Sequence, residues 1–201
     1  MVTLTENEYK NRKNHIVESC SYSTVDMVKS CLCSECDKCK GDCCTNYPCT
    51  MSPREFIDIE NINYMKSVLD TGVLTIAPSN MGCSFYIIRP RGIKDLDTIV
   101  TGYLESPNSC ILQGPKGCIL NPFFRPTDGL LLIPEENNGS IICEPHYGDF
   151  SIIEDWSKYQ NLLKELIKIY RDVEIEKPEA NEETAKRYTL ALLGNCQKET
   201  K

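Results

Sequence analysis

Cys31-Leu32-Cys33-Ser34-Glu35-Cys36-Asp37-Lys38-Cys39-Lys40-Gly41-Asp42-Cys43-Cys44-Thr45-Asn46-Tyr47-Pro48-Cys49 carries seven cysteines in nineteen residues. Little apolar mass remains in it to build a core, because Lys38, Lys40, Gly41 and Asp42 are charged or turn-forming. Ordering such a segment costs conformational entropy that its own burial does not offset. Thiolate–metal bonds or disulfides can offset it. The chain has 13 cysteines, an odd number, and its first residues, Met1 to Lys13, are polar with no apolar signal-peptide core. The expected address is therefore the cytoplasm, where disulfides are rare and clustered cysteines bind metal or do redox chemistry. The competing reading is a disulfide-rich secreted protein. The adjacent pair Cys43–Cys44 is awkward to bridge, and a chain of 201 residues needs no covalent staples.

Two spacings overlap within the stretch. Cys33, Cys36, Cys39 and Cys43 follow C-x2-C-x2-C-x3-C, the ferredoxin run for a four-iron cluster. Cys44 stands where a proline normally follows, and no second run is present. Cys36, Cys39, Gly41, Cys43 and Cys44 give C-x-x-C-x-G-x-C-C. A C-x-x-C turn aims two sulfurs at one metal, and further thiolates complete a tetrahedron. A zinc ribbon would need a second C-x-x-C about 15–20 residues on. None follows, so the distal candidates are Cys110, Cys118 and Cys143, which would tie the loop to the middle of the chain.

The C-x-x-C-x-G-x-C-C run resembles the signature of a family described as zinc- or iron-chelating. Cys110-Ile111-Leu112 and Cys118-Ile119-Leu120 are similar to its downstream cysteine pair, Arg125-Pro126 to the Arg-Pro that follows, and Trp156 to Gln160 to its tryptophan-bearing helix. The likeness spans roughly Cys33 to Leu163. The family often reads Arg-Pro-x-x-Cys-Arg, whereas here Gly129 holds the cysteine's place and cannot ligate. Cys143, His146 or the surplus Cys31, Cys33 and Cys49 would then complete the set, or the second site is degenerate. One branch is similar to flagellin lysine-N-methylase, a longer enzyme, but no glycine-rich methyl-donor loop is legible here. The resemblance implies a metal site without supplying a reaction. The expected ligands are Cys33, Cys36, Cys39, Cys43, Cys44, Cys110, Cys118 and Cys143. The expected cofactor is an iron–sulfur cluster (4Fe-4S) or zinc, and the cysteine density with the ferredoxin-like run favours iron–sulfur. A four-thiolate zinc would be structural, having no open position for water.

Around the stretch, periodicity predicts further elements. Thr5 to Glu18 reads as a polar helix with a stripe at Tyr9, Ile16 and Val17; Thr24 to Lys29 reads as a short second helix. Ser52-Pro53-Arg54-Glu55 is a capping box with proline at the first helical position, opening a helix to about Leu69. The N-terminus of that helix would stabilise thiolates near Cys49, with a helix that simply exits the loop as the equal alternative. Gly72 breaks the helix, and strands follow at Val73–Ala77 and Cys83–Arg89. Arg89 and Arg91 flank Pro90 and are expected in solvent, with anion binding as the alternative. Residues 93–109 read as a loop with a short helix or strand. Gly114-Pro115-Lys116-Gly117 turns a hairpin between Cys110 and Cys118. Leu130–Ile133 and Ser140–Cys143 read as strands. A second capping box at Ser151–Glu154 opens an amphipathic helix through Trp156, Leu163, Leu166 and Tyr170. Residues 173–183 read as an acidic linker, and Glu182–Leu193 as a last helix stopped by Gly194. Cys196 is expected to be a lone thiol.

The expected fold is α+β: a small irregular cysteine-rich metal-binding core with short strands, flanked by helices. The expected domains are an N-terminal helical arm (1–30), a metal- or cluster-binding domain (31–172), and a linker with a C-terminal helix (173–201). A net charge of −7 lacks the basic face a nucleic-acid binder needs and disfavours anionic lipid. No run approaches a membrane span. Expected partners are a metal ion or cluster and a protein or peptide, with no nucleic acid and no membrane. No Ser-His-Asp set or paired-carboxylate motif is legible, and two histidines leave few bases. Three uses of the metal remain open: cluster chemistry on a protein or peptide, a structural zinc scaffold, and metal delivery.

Overall fold

Helix α1 (Glu6–Cys20) begins where Thr5 and Glu8 cap each other: the Glu8 amide donates to the Thr5 hydroxyl, and the Thr5 amide to the Glu8 carboxylate. The computed structural model describes residues 2–20, 48–79, 82–102, 107–115, 117–137, 140–145 and 152–195, with backbone alone at 82–84, 133–137 and 140–145. The predicted stripe Tyr9, Ile16 and Val17 is buried, and Lys13 and Cys20 are buried with it. The helix expected at Thr24–Lys29 lies outside the described residues.

The Ser52–Glu55 capping box forms, but the long helix expected after it does not. Pro53–Glu55 is a single 3-10 turn, Phe56 is extended, and helix α2 (Ile62–Leu69) starts afresh. The cause is competition for backbone groups. The Ile57 amide donates to the Tyr64 hydroxyl instead of to a preceding carbonyl, and the Asn61 side chain caps the amides of Asn63 and Tyr64. Gly72 then turns the chain at a φ of +72°, open to glycine at no steric cost.

Strands β1 (Leu74–Ser79) and β2 (Gly82–Pro90) pair antiparallel, from Leu74 opposite Pro90 to Ser79 opposite Gly82, with an irregularity at Pro78/Ser79. Ile99 and Thr101 run along the free edge of β1, bonding both backbone groups of Ile76. The short β3 (Gln113–Gly114) and β4 (Gly117–Cys118) form the expected hairpin. The strand expected at Leu130–Ile133 starts late. Thr127–Leu130 makes one helical turn, α3, and β5 (Leu132–Asn137) then pairs with β6 (Ser140–Pro145). Beyond them, the amphipathic stretch is divided into α4 (Ile152–Asp155), a 3-10 turn at Trp156–Tyr159 and α5 (Gln160–Tyr170). Gln160 uses its side-chain amide to bond both backbone groups of Tyr86, clamping α5 to the edge of β2.

Two expectations about polar residues are corrected. Arg89 and Arg91 are not solvated; they are 2% and 0% exposed. Arg89 makes a two-bond fork with Asp95 (2.7 and 3.0 Å), and Arg91 donates to the carbonyls of Gly72, Leu96 and Ile175. Likewise the acidic stretch after Tyr170 is held in place: the Ile175 amide donates to the Asp97 carbonyl, and Thr98 bridges Glu174. Helix α6 (Glu182–Leu192) follows an Asn181 cap and stops at Gly194, whose φ is +76°. Tyr188, Ala191 and Leu192 enter the same core as Tyr9, Phe56, Leu74 and Trp156. The described chain is thus an α+β fold of helices and small antiparallel sheets. Among the described residues no helix is long and apolar enough to cross a membrane.

Candidate metal centre

The described structure holds residues on either side of the thiol-rich segment and the last two residues of it, Pro48 and Cys49. On its amino side Cys20 closes α1 and packs with Ile16, Val17, Leu130, Leu131 and Ile152 in a small apolar cluster. On its carboxyl side Pro48–Ser52 runs into the main core. Met51 is fully buried; its amide donates to the Ile88 carbonyl (3.0 Å), and its own carbonyl accepts the Trp156 indole N–H (2.8 Å). The Thr50 amide donates to the Asp128 carboxylate at 2.9 Å. Cys49 lies against α3: a Cβ added to Gly129 would stand 3.1 Å from the Cys49 sulfur. Cys20 and Cys49 therefore both meet the Thr127–Leu131 turn.

Glu55 ties this region together. It is fully buried and paired with the equally buried Lys13. Its carboxylate also accepts from the amides of Ser52 and Thr127, and Lys13 donates in addition to the Arg125 carbonyl. One carboxylate thus joins α1, the end of the cysteine stretch and the start of α3. Arg125 reaches on, donating to the carbonyls of Leu120 and Cys118. Burial pulls the Lys13 amine below its usual range, while the Glu55 charge opposes that pull. The Lys13 spacing was legible: residues 9, 13, 16, 17 and 20 form one helical face, and a lysine on an apolar face demands a carboxylate partner.

The expected ligands divide into three groups. Cys33, Cys36, Cys39, Cys43 and Cys44 lie outside the described residues, as do Cys31, His146 and Cys196. Cys110 is buried, three residues before the β3–β4 hairpin and bridged to Gly92, and Cys118 is half-buried at the end of β4, opposite Gln113. The Leu112 amide donates to the Cys110 sulfur at 3.4 Å. Cys143 sits on β6 opposite Pro134. Among the described residues no three His, Cys, Asp or Glu side chains converge as a metal group. Cys20 is a different kind of cysteine: burial pushes its thiol up, and it packs as a small apolar residue.

The helix-terminus reading for Cys49 is corrected. Pro53–Glu55 is three residues long, and its free amides are taken by Ser52 and by its own turn, so no long helix aims a dipole at the sulfur. No protein-family model, curated protein or solved structure matches the chain.

Proposed function

We propose that the chain is a metal-binding protein whose C-x-x-C-x-G-x-C-C run holds an iron–sulfur cluster, with Cys33, Cys36, Cys39, Cys43 and Cys44 as near donors and Cys110, Cys118 and Cys143 as distal ones. The observation that carries the reading is the density and spacing of the cysteines, seven between Cys31 and Cys49. Of the residues described on either side of them, Cys20 packs on Leu130 and Leu131 and Cys49 lies against Gly129. Metal binding can offset the entropy cost of ordering so cysteine-rich a segment. The donor chemistry fits: the set is all sulfur, the choice of iron–sulfur clusters and zinc. A bound cluster would supply electron transfer or, with an open iron, a place for substrate. Redox or protein-modifying chemistry is the extension of this reading, in a reducing compartment such as the cytoplasm.

Structural zinc is the second reading, favoured by the rigid seating of Met51 and Cys49 on the core. Anaerobic purification followed by iron, sulfide and zinc analysis separates the two. Iron with acid-labile sulfide in a brown sample supports the cluster; stoichiometric zinc in a colourless one supports the scaffold. A sample free of both metals contradicts the proposal.

A further inference from the structure

The described surface holds five large apolar side chains in the open: Val2, Ile93, Leu96, Ile169 and Val173. Three of them, Ile93, Leu96 and Val173, belong to one region. The Gly92–Asp97 loop carries Ile93 (58% exposed) and Leu96 (68% exposed). It lies beside the chain leaving α5, which carries Val173; Thr98 bridges Glu174, and the Ile175 amide bonds the Asp97 carbonyl.

The loop is fixed in place with those side chains outward. The amides of Gly92, Ile93, Lys94 and Asp95 are bonded in turn to the Asp95 carboxylate, the Ser109 carbonyl, the Asn108 side chain and the Gly92 carbonyl. Arg91 holds the Leu96 carbonyl, and Lys177 the Asp95 carbonyl. A loop so fully bonded does not turn its apolar side chains inward for lack of freedom to do otherwise. They are displayed at no further ordering cost, the property of a docking surface. The neighbouring strip supplies the fringe: Asp172, Glu174, Glu176 and Glu179 are exposed, against Lys94 and Arg171 as exposed cations. Lys177 is already committed to Asp97 (2.9 Å).

We propose that this face, independent of the metal reading, docks a basic amphipathic protein segment. Its apolar side covers Ile93, Leu96 and Val173, and its lysines and arginines meet Glu174 and Glu176. Complementary charge steers such an encounter and weakens with salt.

A displayed random-peptide library selected on the whole purified protein tests it, with Leu96→Ser and the pair Glu174→Lys/Glu176→Lys as competitors. The side chains exchanged are exposed, so circular dichroism is expected to match the wild type. The expected result is enriched peptides alternating Lys or Arg with Leu, Phe or Trp. They lose at least tenfold in affinity on each variant and weaken as salt rises. A selection that enriches no such peptides, or peptides binding both variants as tightly as the wild type, overturns the proposal.

Discussion

Glu55 shows how much one side chain can hold. Its carboxylate takes Lys13 from α1, the Ser52 amide from the end of the cysteine stretch and the Thr127 amide from α3. Replacing one member of a buried ion pair strands the other, at a cost of about 3–5 kcal/mol. Glu55→Ala is accordingly expected to lower unfolding stability by that amount, read by urea titration. Asp95 gives a second test with a sign fixed by pH. Burial raises its carboxyl, but the Arg89 fork, the Gly92 amide and Asn108 outweigh burial and hold it below the ordinary 3.8. Its contribution is complete above pH 3.8 and is lost as pH falls through the lowered folded-state value. The stability gap between wild type and Asp95→Asn is expected to be full at neutral pH and to close in acid below pH 3.8, measured by thermal melts across pH. A gap that stays constant would show that Asp95 acts through shape alone.

At the scale of elements, the two long helices of the sequence reading are each divided in the structure. Periodicity marked the buried positions correctly at Phe56, Met65, Val68 and Leu69, and at Trp156, Leu163, Leu166 and Tyr170. It did not mark the breaks, because those depend on distant partners. Ile57 gives its amide to Tyr64, whose hydroxyl in turn reaches the Leu192 carbonyl on α6. Trp156 gives its indole N–H to Met51. The local signals at chain reversals were self-contained and therefore legible: Gly72 and Gly194 sit at positive φ, and the β3–β4 hairpin forms in the expected place. The arginines at 89 and 91 were misread for the same long-range reason, since the groups they serve come from residues 72, 95, 96 and 175. Asn61→Ala is expected to cost about 1 kcal/mol, because it removes the cap that restarts α2. Gly72→Ala is expected to cost more than about 1 kcal/mol: its φ is positive and the new Cβ would stand 2.8 Å from the Glu176 carbonyl oxygen. Chemical denaturation of each variant measures both.

For the whole molecule, the proposed centre is legible in the sequence as a spacing of cysteines, and the structure describes the residues on either side of that spacing. The spacing names donor atoms. The described residues add what spacing cannot carry: Cys49 seated on Gly129, Cys110 bonded by the Leu112 amide, and Cys20 set aside as a packing residue. Metal binding and folding are coupled in sites of this kind. Cys36→Ser or Cys39→Ser is therefore expected to lose metal and lower the melting temperature together, whereas Cys20→Ala alters stability and leaves metal content alone.

The most direct measurement is iron, sulfide, zinc and free-thiol content on anaerobically purified protein, beside its Cys36→Ser variant. The account predicts bound metal in the wild type, iron with sulfide foremost, and its loss in the variant. Metal-free wild-type protein with its cysteines joined as cystines would contradict it.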